Sequence, residues 1–482
     1  MFYFDIDRNI GKKVHFIGIG GVSMSALAEY LLSLGYKISG SDSKKTKLTE
    51  KLQKDGAEVF YSHEPDNIKD VDLVVYTDAI SMENPELKAA IREKIDIVDR
   101  AEFLGNLMKS FEFSIAVSGT HGKTSTTSMI TEVIYNNEDN PTIMLGGSLD
   151  KINGNIKIGE NKLFLTEACE YKGNIKKYFP SLAIILNVDE DHLDYFDNID
   201  HIIKTFEVYS ENLKEDSYIL INNDDENSKT LKDHTKAQII TFGIDKIADY
   251  TAKNIDFVKG GFPRFDVYYK HKKLTEISLK VMGKHNVYNA LAAFAACHIY
   301  NLDPEEISER ISAYTGVHRR LEYKGTVKGV DILDDYAHHP TEIKSTLTAI
   351  RNKYPNDVYC LFQPHTYTRT KLLLNSFAES FKDADKVIIL DIYAAREKDY
   401  GDIHSKMLVD AINENENNAI YLGSFEEAEK YLINNIEPGD CVITMGAGDV
   451  YEIGENLINN YKFEEVENDS KEEFVKPMEA YI

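Results

Sequence analysis

Residues 118–128 read SGTHGKTSTTS, and their types suit phosphoryl chemistry. Gly119 and Gly122 let the backbone approach a ligand closely, so that successive amide N–H groups can converge on phosphate oxygens. Lys123 adds a positive charge for the terminal phosphates, and the Thr124 hydroxyl follows where a Mg²⁺ ligand belongs. The general phosphate-loop pattern asks for a glycine at position 117, where this chain has Val117. A tight turn ending in a helix N-cap would use similar residues. The apolar SIAV before the loop and TSTTSMITEVI after it supply strand and helix, the context that favours phosphate binding.

Other chemistry-bearing residues recur at the ends of apolar runs. Glu167 closes LFLTEA, where an unpaired carboxylate would be costly without a cation. His192 lies among acids in NVDEDHLDYF, as a metal ligand or as a histidine capping the next helix. Near the start, GIGGVS places Gly18, Gly20 and Gly21 after a strand, and Asp42 ends the following one. That layout resembles a dinucleotide fingerprint with Ser23 in place of the third glycine, so it suits a diphosphate ligand without choosing between NAD and a nucleotide sugar. Towards the end, DDYAHHP, QPHTYTR, DIYAAREKD and MGAGD each follow an apolar run. There Arg319, Arg320, Arg369 and Arg396 can hold carboxylate or phosphate, and Asp335 and His338 can orient or deprotonate an incoming group.

The elements that must position these groups alternate between short apolar runs and helical stretches, the pattern of α/β domains with mostly parallel sheets. KVHFI, KISGSD and VDLVVY read as strands of a first block, SIAV, LFLTEA, LAIILN, SYILIN and QIITFG of a second, and VDILDD, VYCLF, KVIIL and CVITM of a third. The domain limits expected are 1–108, 109–316 and 317–461, followed by an acidic tail over 462–482. With 482 residues, three domains are of ordinary size. The net charge of −25 disfavours nucleic acid and anionic lipid as general partners, so an anionic substrate must be held by local features. Four widely spaced cysteines without metal-ligand spacing, no signal layout and no apolar run of transmembrane length point to a cytoplasmic protein.

Taken together, GTHGKT, EACE, NVDEDH, GKHNVYNALAA, RRLE, DDYAHHPTE and FQPHTYTRT closely resemble the Mur ligases of peptidoglycan biosynthesis, over nearly the whole chain. The shortened GTxGKT loop is the normal form in that family. The resemblance implies three α/β domains: an N-terminal Rossmann-like one for a UDP-sugar, a central P-loop ATPase, and a C-terminal Rossmann-like one for an amino acid. It implies ATP-dependent joining of L-alanine to the carboxylate of UDP-N-acetylmuramate through an acyl phosphate, with Mg²⁺. Gly119, Thr120, His121, Gly122, Lys123, Thr124 and Ser125 would then surround ATP, together with Asn286, Asn289 and Arg319 or Arg320. Thr124 and Glu167 would hold one metal ion and His192 a second. Gly18, Gly20, Gly21 and Asp42 would contact the UDP moiety, and Asp335, Tyr336, His338, His365 and Arg369 would lie around the amino acid and nucleotide.

Ser23, Thr366 and Arg396 depart from the usual family residues. Two related readings remain beside the main one: a ligase that attaches a tripeptide during cell-wall recycling, and a nucleotide-sugar-binding protein without catalysis. An NAD-dependent dehydrogenase is a third, but it leaves Lys123 and its loop without a purpose. Oligomeric state is not legible.

Overall fold

A computed structural model describes residues 9–258 and 261–461; the acidic stretch 462–482 lies outside the described residues. The chain divides into two compact units, one running up to His318 and the other from Arg319 onward, the latter joined by Gly261.

The first unit contains two sheets. Its N-terminal sheet comprises β1 (Lys13–Ile17), β2 (Lys37–Ser41), β3 (Glu58–Phe60), β4 (Leu73–Tyr76) and β5 (Asp96–Asp99), in the order β3-β2-β1-β4-β5. All four pairings are parallel. Val14–Ile17 and Leu73–Val75 are buried throughout because such strands are covered on both faces, His15 included. Chain order reverses at β1, which leaves a crevice beyond its C-terminal end, where residues 18–21 turn into the helix Val22–Ser33.

The second sheet has ten strands: β6 (Phe113–Ser118), β7 (Thr142–Leu149), β8 (Gly154–Lys157), β9 (Leu163–Ala168), β10 (Leu182–Ile185), β11 (Tyr218–Asn222), β12 (Gln238–Gly243), β13 (Tyr250–Val258), β14 (Phe262–Tyr269) and β15 (Lys272–Ser278). Their order is β15-β14-β13-β12-β11-β10-β6-β9-β7-β8. The middle of this sheet is parallel, with β10 and β9 flanking β6 on its two sides. The alternating pattern after residue 249 becomes the antiparallel pairs of β13, β14 and β15 at one edge. The helix Lys284–Ile299 is apolar nearly all round (Val287, Ala290–Ala296 and Cys297 are buried), so it packs as a core helix, not a surface one.

A seam joins the two sheets of this unit. The helix Arg100–Met108 lies so close to the segment Tyr171–Lys177 that a Cβ on Gly105 would sit 1.8 Å from the Lys177 carbonyl oxygen. Lys177 Nζ donates to Asp99 Oδ2 at 2.6 Å, Asn174 Nδ2 to Asp78 Oδ2 at 2.7 Å, and Lys172 Nζ to the Asp78 carbonyl at 2.9 Å.

The second unit carries a six-stranded sheet of β16 (Glu322–Val327), β17 (Val330–Asp335), β18 (Val358–Phe362), β19 (Lys386–Ile389), β20 (Ala419–Tyr421) and β21 (Cys441–Met445), ordered β16-β17-β21-β18-β19-β20. Only β16 pairs antiparallel. The four polar turns of the sequence therefore leave β17, β21, β18 and β19, four adjacent parallel strands, at the same sheet edge. Among the described residues no helix is long and apolar enough to cross a membrane. The architecture is α/β with mostly parallel sheets.

Candidate active site

The phosphate loop leaves β6 and enters the helix Lys123–Ile134 with Gly119 at φ +131° and Gly122 at φ +84°. Space as well as torsion demands glycine at Gly122, since a Cβ there would lie 2.5 Å from Asn289 Oδ1. The loop is gripped by the residues that follow β10. The Thr120 amide donates to the Asn187 carbonyl at 3.1 Å. Asn187 Oδ1 accepts from the His121 amide at 2.8 Å, and its Nδ2 donates to the His121 carbonyl at 3.1 Å. Thr120 Oγ1 accepts from the Asp189 amide at 2.9 Å, and His121 Nε2 lies 3.2 Å from Asp189 Oδ2. Ser125 sits in the first turn of the helix, and Thr126 Oγ1 donates to Asn289 Oδ1 at 3.3 Å.

The acids come from β9 and the turn after it. Register pairs Val117 with Glu167 and Ser118 with Ala168, which sets Glu167 directly beside the loop. Thr124 Oγ1 donates to Glu167 Oε2 at 3.1 Å, while Glu167 Oε1 accepts from the Gly146 amide at 2.9 Å. A hydroxyl and a carboxylate side by side are hard oxygen donors of the kind that Mg²⁺ takes. Lys123 Nζ donates to the Thr120 carbonyl at 3.1 Å and to Glu170 Oε2 at 3.2 Å. Burial would push the Lys123 ammonium down, but Glu170 outweighs it and holds the lysine above its ordinary range, fully charged at neutral pH.

Glu170 was not singled out by the sequence, although it stands in the same EACE run as Glu167. Its carboxylate is only 2% exposed, and Oε1 has no hydrogen-bond partner. His192 Nε2 lies 4.0 Å from that oxygen and 3.9 Å from Asp191 Oδ2. His192 holds a left-handed backbone (φ +53°) with its ring 4.7 Å from that of Tyr171, and the helix that follows is capped by Asn198. The capping alternative for His192 is thereby excluded.

Asn286 Nδ2 donates to the Met282 carbonyl at 2.8 Å, and Asn289 Nδ2 to Asn286 Oδ1 at 3.1 Å. The two asparagines form one chain that ends on the phosphate loop. At the other sheet, Asp42 Oδ2 accepts from the Gly20 amide at 3.0 Å and Oδ1 from the Lys44 amide at 3.1 Å. Gly20 is glycine because a Cβ would meet Asp42 Oδ2 at 2.8 Å, and Gly18 turns at φ +86°. Gly21 precedes the helix as its N-cap. Ser23 has a purpose here that a glycine could not serve: its Oγ accepts from Arg100 Nη1 at 3.3 Å. Arg100, 77 positions away, was not legible as part of this site.

In the second unit Arg319 and Arg320 differ sharply. The Arg319 guanidinium donates to Asp334 Oδ2 at 3.2 Å, to the Gly446 carbonyl at 2.7 Å and to the Gly448 carbonyl at 3.0 Å. It also lies over the Tyr336 and Tyr451 rings. Arg320 stands over Tyr336, with Glu342 Oε1 3.8 Å away, and keeps donors for an anion. Asp335 is buried, accepting from the amides of Leu321 at 2.9 Å and Ala337 at 2.7 Å. Burial pushes its carboxyl up to about 6, against the pull of Arg320. Its oxygens thus hold the turn that carries Tyr336 and His338. His338 Nδ1 lies 3.0 Å from the Tyr336 carbonyl, which can only accept, so Nδ1 carries the proton and Nε2 is the basic nitrogen of the neutral ring. The His338 and His365 rings are 5.7 Å apart, and Arg369 Nη1 is 3.0 Å from His365 Nδ1. Thr366 caps the helix Tyr367–Leu372 by accepting from the Arg369 amide, whereas Arg396 is exposed.

Comparison with known proteins identifies the family. Residues 13–112 match the Mur ligase family, catalytic domain; residues 117–297 the Mur ligase middle domain; and residues 319–448 the Mur ligase, glutamate ligase domain. A UDP-N-acetylmuramate–L-alanine ligase from Acetivibrio thermocellus is 50% identical over 457 residues, covering 94% of this chain and 97% of that protein. The crystal structure of the UDP-N-acetylmuramate–alanine ligase from Thermotoga maritima superposes with a TM-score of 0.77 at 30% identity, covering 94% and 99% of the two chains. A murein peptide ligase from Psychrobacter arcticus shares the fold, with a TM-score of 0.69 at 24% identity over 93% and 98%. With three domain matches and a relative half identical over nearly its full length, the chain belongs to the Mur ligase family.

Proposed function

We propose that this chain joins L-alanine to the lactyl carboxylate of UDP-N-acetylmuramate, with ATP cleaved to ADP and phosphate, as a cytoplasmic step of peptidoglycan synthesis. The single observation that carries the chemistry is the half-buried Lys123 ammonium, paired with buried Glu170 and next to Thr124 and Glu167 at one strand-to-helix turn. In the first step a carboxylate oxygen attacks the γ-phosphorus, its O–P bond forms, and the bond to the ADP oxygen breaks. Both reactants are anions, so cationic groups must offset their repulsion. The loop amides from Gly119 to Thr124 and the Lys123 charge hold the phosphates in line. When bound, Mg²⁺ neutralises phosphate charge, and Thr124 and Glu167 are the residues that would hold it.

In the second step the alanine amine attacks the acyl carbon, the C–N bond forms, and phosphate leaves with the carboxylate oxygen. The amine must first lose a proton, and His338 Nε2 is the acceptor that the second unit offers. Tyr336, His365 and Arg369 are the residues to orient the amino acid, with Arg320 as a cation for phosphate. Gly18, Gly20, Gly21 and Asp42, joined by Arg100, are assigned to the UDP moiety. The corresponding domain limits are 1–108, 109–316 and 317–461.

Phosphate release measured with ATP, UDP-N-acetylmuramate and each amino acid in turn tests this reading. Release should require alanine, and hydroxylamine added in its place should yield a hydroxamate. Release driven by a tripeptide and not by alanine would transfer the assignment to the recycling ligases. Nucleotide binding without release under any mixture would defeat it.

A further inference from the structure

Gly146 lies in an irregular stretch of β7. Pairing with β9 ends at Met144 and Thr166, and the register with β8 breaks between Met144 and Leu149. Irregularities of this kind re-aim a strand beside a functional site. Here the Gly146 N–H donates to Glu167 Oε1 at 2.9 Å, while Oε2 takes the Thr124 hydroxyl at 3.1 Å. The Gly146 backbone lies outside the left-handed region, so torsion alone would admit alanine. Space would not. A Cβ would stand 2.8 Å from Glu167 Oε2 and 3.1 Å from its Cδ and Oε1, inside the 3.4 Å at which ordinary contact begins. Gly147 differs, because a Cβ there would meet only Thr124 Cγ2, at an ordinary 3.7 Å. Buried Leu145 and Leu149 anchor the stretch on both sides, and Asn155 Nδ2 pins β8 by donating to the Val22 carbonyl at 2.8 Å. With the backbone so held, the Glu167 carboxylate is what must yield to a methyl group.

Resting on the assignment of Thr124 and Glu167 to Mg²⁺ above, we propose that Gly146 is a positioning residue that makes this pair selective for Mg²⁺ over larger cations. Mg²⁺ demands near-ideal octahedral geometry at ~2.0–2.1 Å, whereas Ca²⁺ accepts flexible arrangements at ~2.3–2.6 Å. The Gly146 amide fixes one carboxylate oxygen, and its bare α-carbon leaves the other where Thr124 can reach it. A methyl group displaces Oε2, the atom that Thr124 also contacts, and so alters the spacing of the two ligands. A loosened pair still serves a large ion but no longer a small one. Groups that orient a ligand from behind are worth ~10–100-fold in metal affinity.

The test follows bound Mn²⁺ by electron paramagnetic resonance in the presence of a non-hydrolysable ATP analogue, and displaces it with Mg²⁺ or Ca²⁺. The ion lost in Glu167→Gln identifies the site. Gly146→Ala should weaken Mg²⁺ there by at least ~10-fold and Ca²⁺ by no more than ~3-fold, whereas Gly147→Ala should keep the wild-type ratio. Glu167→Asp is one methylene shorter and makes room for the methyl group. Adding Gly146→Ala to that background should therefore cost Mg²⁺ less than ~3-fold. This comparison also decides the matter if Gly146→Ala does not fold alone. Mg²⁺ and Ca²⁺ affinities that fall together in Gly146→Ala, or do not fall, would overturn the proposal, as would a double variant that loses as much as the single one. If instead Glu167→Gln binds every ion that wild type binds, the assignment of Glu167 itself is wrong, a failure separate from that of Gly146.

Discussion

Asn187 holds His121 through the peptide groups on both sides of it: its side-chain Oδ1 accepts from the His121 N–H and its Nδ2 donates to the His121 carbonyl. A side chain leaving β10 thereby sets the backbone of a loop that belongs to β6. Replacing it by alanine leaves the fold's core untouched but lets the loop amides drift. We expect Asn187→Ala to weaken binding of an ATP analogue by roughly 10–100-fold, the worth of about 1–3 kcal/mol of lost hydrogen bonding. Calorimetric titration checks this, and unchanged affinity would show that the loop holds itself.

Lys123→Ala should lower phosphate release by at least ~100-fold, the scale of removing one preorganised charge. It also leaves Glu170 buried and unpaired, so denaturation should show a loss of about 3–5 kcal/mol. A drop in turnover below ~10-fold would contradict the role given to this lysine.

Arg319 and Arg320 should separate in the opposite sense. Arg319→Ala strips Asp334, which is 1% exposed, of its cation and frees two carbonyls, so the second unit should lose about 3 kcal/mol or more of stability. Arg320→Ala should melt as wild type does yet release phosphate more slowly, by ~10-fold or more. Equal melting temperatures for both variants would refute the distinction.

A pH effect is expected from the N-terminal sheet. Glu86 is fully buried; burial alone would raise its pKa, but His15, Ser41, Asn67 and His63 together lower it from 4.5 to about 2. Ser41 Oγ lies at 2.6 Å, Asn67 Nδ2 at 2.7 Å and His63 Nδ1 at 2.9 Å. A folded pKa below the unfolded one means stability that is complete above pH 4.5 and is lost as pH falls towards 2. The shift corresponds to about 3 kcal/mol. Glu86→Gln should be less stable at pH 7 and lack this acid limb in urea titrations; a variant with the wild-type limb would assign it elsewhere.

Much of this molecule could be read from its residues because the signals are local. Strand, GKT and helix are contiguous, Glu167 closes an apolar run, and four polar turns follow four strands that the sheet then places side by side. What escaped depends on partners distant in sequence. Asn187 is an ordinary polar residue until β10 is laid beside β6, and Arg100 gains meaning only once Ser23 folds against it. Glu170 lay in plain view, but its single idle oxygen is a property of burial, which no spacing reports. Arg319 and Arg320 are chemically identical neighbours, and partners distant in sequence, Asp334 and the carbonyls of Gly446 and Gly448, tell them apart.

The contact of Gly105 with Lys177 leaves no room for even a methyl group, and three further bonds cross the same line. The glycine turn at residues 18–21 and the Lys123 turn are consequently mounted on one compact unit, like the two jaws of a gauge. If the first turn takes the UDP moiety and the second the ATP phosphates, as proposed above, a substrate would be measured from its pyrophosphate to its lactyl group before any chemistry begins. An analogue one phosphate shorter should seat its uridine normally and still draw no phosphate from ATP.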